Sequence, residues 1–361
     1  MRSGDGWVVR VRPAQGRLSA RQAAGLCNAA RSHGAGVLDL TNRANLQIRG
    51  VPDTALAPLQ TTLAQLDLLD SDPEREARRN ILIAPDWQQG DDSQRLWDAL
   101  AARLMELPAL PPKMGFAMDA GSAPILSDAP ADFRIERSAD GRLILRAEGR
   151  AYGMALEYGA EIATLLRLAQ WFVDSGGHEA GRMARHEAPL PDWGAWTLPP
   201  ARARGPLSAG PVPGGMALGA AFGQVDAADL EKVLEATGAR AIRLTPWRLL
   251  VLEEVDALPV LPDSLIATPD HPALRVDACA GAPFCPQASV ETRALARALG
   301  PHVAGSLHVS GCAKGCARAR AADMTLVGRA GAFDLVPGGR AGDVPLETGL
   351  TPTQILTRFG A

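Results

Sequence analysis

The amino-acid sequence predicts an α+β fold, and three observations support this class. A strand–helix–strand–strand pattern stands near the N-terminus, the same pattern returns about 204 residues later, and four of the five cysteines lie between residues 279 and 316. A recurrence over so long a distance is typical of gene duplication, which relates two copies by a pseudo-twofold axis, and it differs from the short period of a solenoid.

The first copy is predicted from its hydrophobic periodicity. Residues 7–12 begin as an apolar run and turn to alternation, which indicates a strand. Ser19 is a suitable N-cap for the helix that follows, and Gly34 is a suitable C-terminal stop. Two further strands are predicted at residues 36–40 and 46–49.

The second copy repeats this order. Residues 216–219 predict a strand, and Asp226 is the expected N-cap of a helix over residues 227–237. Strands are then predicted at residues 241–245 and 249–252.

The two copies differ at three positions where the first is polar and the second is apolar. We therefore expect only the first copy to face a polar ligand. The residues are Arg43, Asn45 and Gln47 in the first copy and Trp247, Leu249 and Val251 in the second.

A stretch rich in proline and glycine, residues 198–215, marks the boundary before the second copy. The sequence therefore predicts four segments. They are a first half-domain at residues 1–60, a middle segment at 61–205, a second half-domain at 206–262 and a cysteine-bearing segment at 263–361.

Composition and charge narrow the range of functions. A hydrophobic fraction of 47% and a charged fraction of 21% are typical of a folded globular protein. A formal net charge of -3 provides no general attraction for nucleic acid. No apolar run is long enough for a membrane span, and the N-terminus lacks an apolar signal region. We expect a cytoplasmic monomer that binds neither nucleic acid nor membrane.

The four C-terminal cysteines form two pairs, with five residues between Cys279 and Cys285 and three between Cys312 and Cys316. Four thiolates on loops rich in glycine and proline can bind the corners of a 4Fe-4S cluster. A structural zinc also accepts four thiolates, although its pairs are usually closer in sequence. Four unligated cysteines are the third interpretation, and Cys27, on the apolar stripe of its helix, is expected to be a buried thiol.

The cysteine spacing resembles the cluster motif of the siroheme-dependent sulfite and nitrite reductases. Residues 41–50, Thr-Asn-Arg-Ala-Asn-Leu-Gln-Ile-Arg-Gly, resemble the basic strand motif of that superfamily, Arg79-Asn80 resembles its second arginine motif, and Leu107 to Lys113 resembles its lysine motif. The resemblance implies two duplicated ferredoxin-like half-domains and two α/β domains that bind cluster and macrocycle around a pseudo-twofold axis.

Where the sequence departs from the reductases, it resembles a different branch of the superfamily. Gly115 stands where a reductase would carry a second lysine. Residues 113–117, 309–317 and 326–328 instead resemble the precorrin-3B synthase family, although Arg318 stands where a histidine is expected.

The resemblance implies an O2-dependent hydroxylation of precorrin-3A at C20, with closure of a lactone by the ring A acetate, in aerobic cobalamin biosynthesis. It also implies a 4Fe-4S cluster, a mononuclear non-haem iron and an external reductant such as NADH. The iron ligands are not readable, because the six histidines show no paired ligand motif. The alternatives are a reductase that binds siroheme and a non-catalytic cluster protein.

Arginine suits a substrate with carboxylates, because its planar fork binds them through two hydrogen bonds and stays charged. The expected metal ligands are Cys279, Cys285, Cys312 and Cys316. The expected substrate contacts are Arg43, Asn45, Gln47, Arg49, Arg79 and Lys113.

Overall fold

The computed structural model describes residues 2–361, and their strands form four sheets of five strands each. We name them the first-copy sheet, the middle sheet, the second-copy sheet and the C-terminal sheet. Within residues 2–361, no helix is both long enough and apolar enough to cross a membrane.

The first copy contains the predicted strand–helix–strand–strand unit. Its helix begins with a capping box, in which the Ser19 hydroxyl accepts from the Gln22 amide and the Gln22 side chain accepts from the Ser19 amide. The helix ends before Gly34, as expected. The elements are β1 (Arg2–Ser3), β2 (Gly6–Val11), β3 (Arg17–Ser19), α1 (Ala20–His33), β4 (Val37–Leu40), β5 (Leu46–Val51) and α2 (Leu56–Gln65).

The middle sheet has three parallel strands followed by two antiparallel ones. Its core places Phe116 and Phe133 in the sheet against Leu96 and Phe172 of two helices. The elements are α3 (Pro73–Arg78), β6 (Ile81–Ile83), α4 (Asp92–Ala102), β7 (Phe116–Asp119), β8 (Phe133–Arg137), β9 (Leu143–Ala147), β10 (Met154–Ala155), α5 (Glu161–Asp174) and α6 (Gly177–Ala180).

The second copy follows the order of the first. Asp226 caps its helix by accepting from the amides of Ala228 and Asp229, which confirms the predicted cap. The elements are β11 (Gly210–Val212), β12 (Gly215–Gly219), β13 (Gln224–Asp226), α7 (Ala227–Thr237), β14 (Ala241–Leu244) and β15 (Leu249–Glu253).

The two copies exchange a strand. β3 of the first copy pairs with β14, and β13 of the second pairs with β4, so each sheet holds one strand of the other copy. α1 packs on α7, and one core joins Leu26 and Ile48 to Leu230 and Ile242. The exchange was not predicted, but its reciprocity supports the duplication.

The C-terminal sheet repeats the topology of the middle sheet, with three parallel strands and then two antiparallel ones. Each of the two copied units therefore consists of a half-domain that exchanges a strand with the other copy and an α/β segment. The elements are β16 (Val276–Ala278), α8 (Arg293–Leu299), β17 (Leu307–Ser310), β18 (Met324–Arg329), β19 (Ala332–Pro337), β20 (Glu347–Leu350) and α9 (Pro352–Phe359).

Asp119 is a buried carboxyl at the end of β7. Its Oδ2 accepts from the amides of Ile125 at 2.8 Å and Leu126 at 2.7 Å, while its Oδ1 has no partner among the described residues. Burial raises the pKa of Asp119 to about 6, and nearby Glu136 adds to the effect. Folding therefore favours the protonated form of this group.

We expect Asp119→Asn to change how stability depends on pH. Because the pKa of Asp119 is higher in the folded state, its ionisation costs the wild type stability as pH rises from about 4 to about 6. The free energy of unfolding of the variant, minus that of the wild type, should increase by up to about 3 kcal/mol across this range. Urea denaturation at a series of pH values measures it. Asp128→Asn, at an exposed position in the same loop, controls for the lost charge, and a pH-independent difference for Asp119→Asn would contradict the prediction.

Candidate functional site

The four cysteines lie on loops at one edge of the C-terminal sheet. Cys279 directly follows β16 and Cys312 follows β17, and these strands are parallel, so their carboxyl ends meet. The Gly311 amide donates to the Cys279 Sγ at 3.2 Å, which ties the two loops together. Gly281 has a φ of +69°, and a Cβ there would lie 2.7 Å from the Thr292 hydroxyl, so only glycine lets this loop approach α8.

The other three thiols act electrostatically on Cys316. Cys316 is exposed and the other three are half-buried. Burial raises the pKa of Cys316, and Cys312, Cys279 and Cys285 raise it further, while Lys314 lowers it. Four thiolates gathered without a cation would repel one another, which is the situation that a bound metal relieves.

Among residues 2–361, no three His, Cys, Asp or Glu side chains are grouped as a single metal ion requires. A single zinc draws four sulfurs to about 2.3 Å from one point. A 4Fe-4S cubane instead binds each thiolate at a different iron, so the sulfurs stand further apart. Four cysteines on loops that contain glycine, with the Gly311 amide donating to the Cys279 sulfur, fit the ligand set of a cluster.

The histidines do not provide a mononuclear iron site. His308, on β17, is fully buried, and neither ring nitrogen has a hydrogen-bond partner among the described residues. Burial lowers the pKa of His308 to about 4, so its imidazole is neutral near pH 7. His186 bonds the Ser175 hydroxyl at 2.7 Å in the middle segment. No two-histidine, one-carboxylate set occurs in the described part of the chain, so the residues present do not fit this metal.

Cys27 is fully buried on α1, and burial raises its pKa to about 12. The prediction that it is a buried thiol is confirmed.

A polar face of the first-copy sheet lies beside the cysteine loops. Gln47 and Arg49 alternate on β5 with buried Leu46 and Ile48, so the polar pair faces away from the core. The cysteine loop reaches the N-terminal end of this sheet, where the Phe284 carbonyl accepts from the Ser3 hydroxyl at 2.7 Å and the Gly4 amide at 3.1 Å.

Three of the predicted substrate residues converge at one end of this face. The Arg43 guanidinium donates to the Lys113 carbonyl at 2.7 Å, and Arg79 donates to the Arg12 carbonyl at 2.7 Å. Burial lowers the pKa of Arg43, and the nearby cations Arg182 and Arg10 lower it further. Arg79 also forms an ion pair with Glu76, so its charge is already paired. The binding roles of Arg43, Arg79 and Lys113 stay predictions.

The other predicted residues lie differently. Arg49 forms ion pairs with Asp5 at 3.1 Å and Asp39 at 3.6 Å, so it is already neutralised. Asn45 is buried, and its backbone bonds Thr41. Gln47 lies opposite Arg10 in the pairing of β5 with β2. These three remain predicted contacts, with Gln47 the best placed.

Arg10 and Arg182 lie near Arg43 and were not predicted. Arg10 is exposed to solvent on one side. Burial of the rest of its side chain lowers the pKa of Arg10, and the nearby charge of Arg12 lowers it further. Among residues 2–361, neither Arg10 nor Arg43 has a carboxylate within ion-pair distance. Arg10 lies at an alternating position of the predicted strand 7–12, a signal that could have identified it.

Gly115 leaves room that Asn80 fills. The Asn80 amide donates to the Met114 carbonyl at 2.6 Å, and a Cβ on Gly115 would lie 2.7 Å from its Nδ2. Any side chain at this position, including the lysine of the reductase motif, would displace Asn80. The packing of Asn80 thus accounts for a glycine at position 115, where a reductase would carry its second lysine.

Comparisons with known proteins agree with this architecture. Residues 1–66 match the family model described as the nitrite/sulfite reductase ferredoxin-like half domain. The structure of the Mycobacterium tuberculosis NirA protein is similar with a TM-score of 0.62, at 18% identity, over 95% of this chain and 76% of that chain, which confirms the fold.

A curated precorrin-3B synthase from Sinorhizobium sp. is 31% identical over 389 aligned residues, which cover 96% of this chain and 82% of that protein. This similarity extends over both copies, the polar cleft and the cysteine loops. The chain therefore belongs to the precorrin-3B synthase family, on the fold of the sulfite and nitrite reductases.

Proposed function

We propose that this chain is a precorrin-3B synthase, an oxidoreductase of the monooxygenase class. In the proposed reaction, dioxygen hydroxylates precorrin-3A at C20 while the ring A acetate closes a lactone, in aerobic cobalamin biosynthesis. The observation that carries the proposal is the polar sheet face beside the cysteine loops, where Arg10 and Arg43 have no carboxylate partner among the described residues. Family membership supports the same reaction.

The unpaired cations suit a macrocycle with peripheral carboxylates. Arg10 and Arg43 each retain guanidinium donors for a bidentate contact, and Lys113 adds a mobile point charge at the exposed rim. Gln47, opposite Arg10, offers a neutral hydrogen bond. These side chains would orient the ring, while Arg182 is paired with Asp132 at 2.9 Å and so adds little net charge.

The four cysteines Cys279, Cys285, Cys312 and Cys316 would hold a 4Fe-4S cluster. When bound, the cluster supplies single electrons, which an external reductant such as NADH replaces. The Gly311 amide, which donates to the Cys279 sulfur, would stabilise the charge of that ligand. The described residues do not fit a mononuclear iron.

The second candidate is a siroheme-dependent sulfite or nitrite reductase, because this chain has the fold of such reductases. Gly115 disfavours it, because this position lacks the second lysine of the reductase motif and a side chain there would have to displace Asn80.

We expect Cys312→Ser to lose most of the bound iron and sulfide, because an alcohol is a poor substitute for a thiolate ligand. Cys27→Ala is the matched control, since Cys27 is buried far from the loops in sequence and its removal should leave the iron and sulfide content unchanged. Iron and sulfide quantification after anaerobic purification measures both. Full iron and sulfide content in Cys312→Ser would contradict the assignment of this ligand.

Arg43→Gln should weaken binding of the macrocycle about tenfold or more, because a charge-assisted hydrogen bond contributes about 1.5–3 kcal/mol. Arg43→Lys should recover part of the affinity, since it keeps the charge but not the fork. Fluorescence or optical titration with precorrin-3A gives the dissociation constants. Arg329→Gln, at an exposed position on β18, is the control. Equal affinity of Arg43→Gln and wild type would remove Arg43 from the binding site.

The activity itself is tested by adding precorrin-3A, reductant and air to the anaerobically purified protein. A brown cluster absorption without a siroheme band, together with an O2-dependent hydroxylated lactone, is expected. Bound siroheme with reduction of sulfite or nitrite would favour the second candidate, and zinc without iron or sulfide would exclude both.

A further inference from the structure

Arg293, the first residue of α8, carries a largely buried charge without a hydrogen bond. Its Nε is buried and has no partner among the described residues. The closest carboxylate is that of Asp39, whose Oδ1 lies 3.7 Å from the Arg293 Nη2, beyond hydrogen-bond distance. Leaving the buried Nε unsatisfied is costly, and the charge of the guanidinium is offset only in part by Asp39 at 3.7 Å.

Arg293 lies between the polar face and the cysteine loops. On one side Asp39, on β4, also contacts Arg49 at 3.6 Å and accepts from Gln224 at 2.9 Å. On the other side the charge of Cys279 acts on the Arg293 guanidinium. The residue before it, Thr292, donates its hydroxyl to the Cys279 carbonyl at 2.7 Å and so fixes the start of α8 against that cysteine.

We propose that Arg293 is a positioning residue that sets the reduction potential of the cluster held by the four cysteines. The inference rests on the proposed function. Reduction adds negative charge to the cluster, and a fixed cation nearby stabilises that charge, so Arg293 raises the potential. Asp39 opposes this effect, because its carboxylate offsets part of the guanidinium charge.

The test is an EPR-monitored redox titration of the full chain, purified anaerobically with its cluster. Arg293→Gln should shift the midpoint potential to a lower value, and Arg293→Lys should keep it close to that of the wild type. Asp39→Asn should shift it to a higher value. Arg297→Gln is the control, because its exposed guanidinium lies one turn along α8 with its Cζ 5.4 Å from the centre of the Phe222 ring.

The outcomes separate this inference from the proposed function. A wild-type protein without iron and sulfide would refute the proposed function. A cluster-containing Arg293→Gln variant with the wild-type potential would overturn the role of Arg293 and leave the proposed function standing. If Arg293→Gln fails to assemble a cluster while Arg293→Lys assembles one, a requirement for the charge is supported. If neither Arg293 variant assembles a cluster, the midpoint potential of Asp39→Asn is the deciding measurement. A wild-type midpoint potential in Asp39→Asn would then overturn the inference.

Discussion

The reciprocal exchange of β3 and β13 is the constraint on which the rest of the structure depends. Each strand has only three residues and completes a sheet that belongs mainly to the other copy. Because the two sheets share a core with α1 and α7 between them, the copies cannot move independently. Their outer faces are therefore held in fixed positions, and each meets one of the two α/β segments. The functional cleft is one of these two meeting places.

The local elements could be predicted because their signals lie within a few residues of one another. Ser19 and Gly34 bound α1, and Asp226 begins α7, as expected. The exchange could not be predicted in the same way. A three-residue strand carries too little periodicity to indicate its partner, and the partner lies more than 180 residues away in both cases.

The candidate site was predictable to a similar degree. Motif resemblance brought together Arg43, Arg79 and Lys113, and strand alternation could have added Arg10. Arg293 had no sequence signal, because it reaches Asp39 only through the packing of α8 on the first copy. The position of Arg318 is explained only by the structure.

Arg318 pairs with Asp277 at 2.8 Å, and Arg248 of the second copy pairs with the same carboxylate and donates to the Ala317 carbonyl at 3.0 Å. The second copy thereby supports the loop that carries Cys316, although its own sheet face contributes nothing to the cleft. Both copies thus contribute to the candidate site, the first through its polar face and the second through its support of the Cys316 loop.

The second copy shows how the same fold resolves its charges where no anion has to bind. At the positions equivalent to Asp39 and Arg49 stand Arg243 and Glu253, which pair with each other, and Arg17 binds Glu253 through two donors at 2.9 and 2.7 Å.

Arg243 also donates to the Pro85 carbonyl at 3.1 Å and lies over the Trp87 ring at 4.4 Å, so the middle segment contacts this face beside a cavity that Arg243 and Glu253 help to line. Two related faces therefore differ in one physical respect. On the second-copy face Arg17 and Arg243 pair with Glu253, whereas on the first-copy face Arg10 and Arg43 have no carboxylate within ion-pair distance among the described residues. The asymmetry between the copies leaves the unpaired cations on the first copy, which is the physical basis of the proposal that this copy binds a substrate with carboxylates.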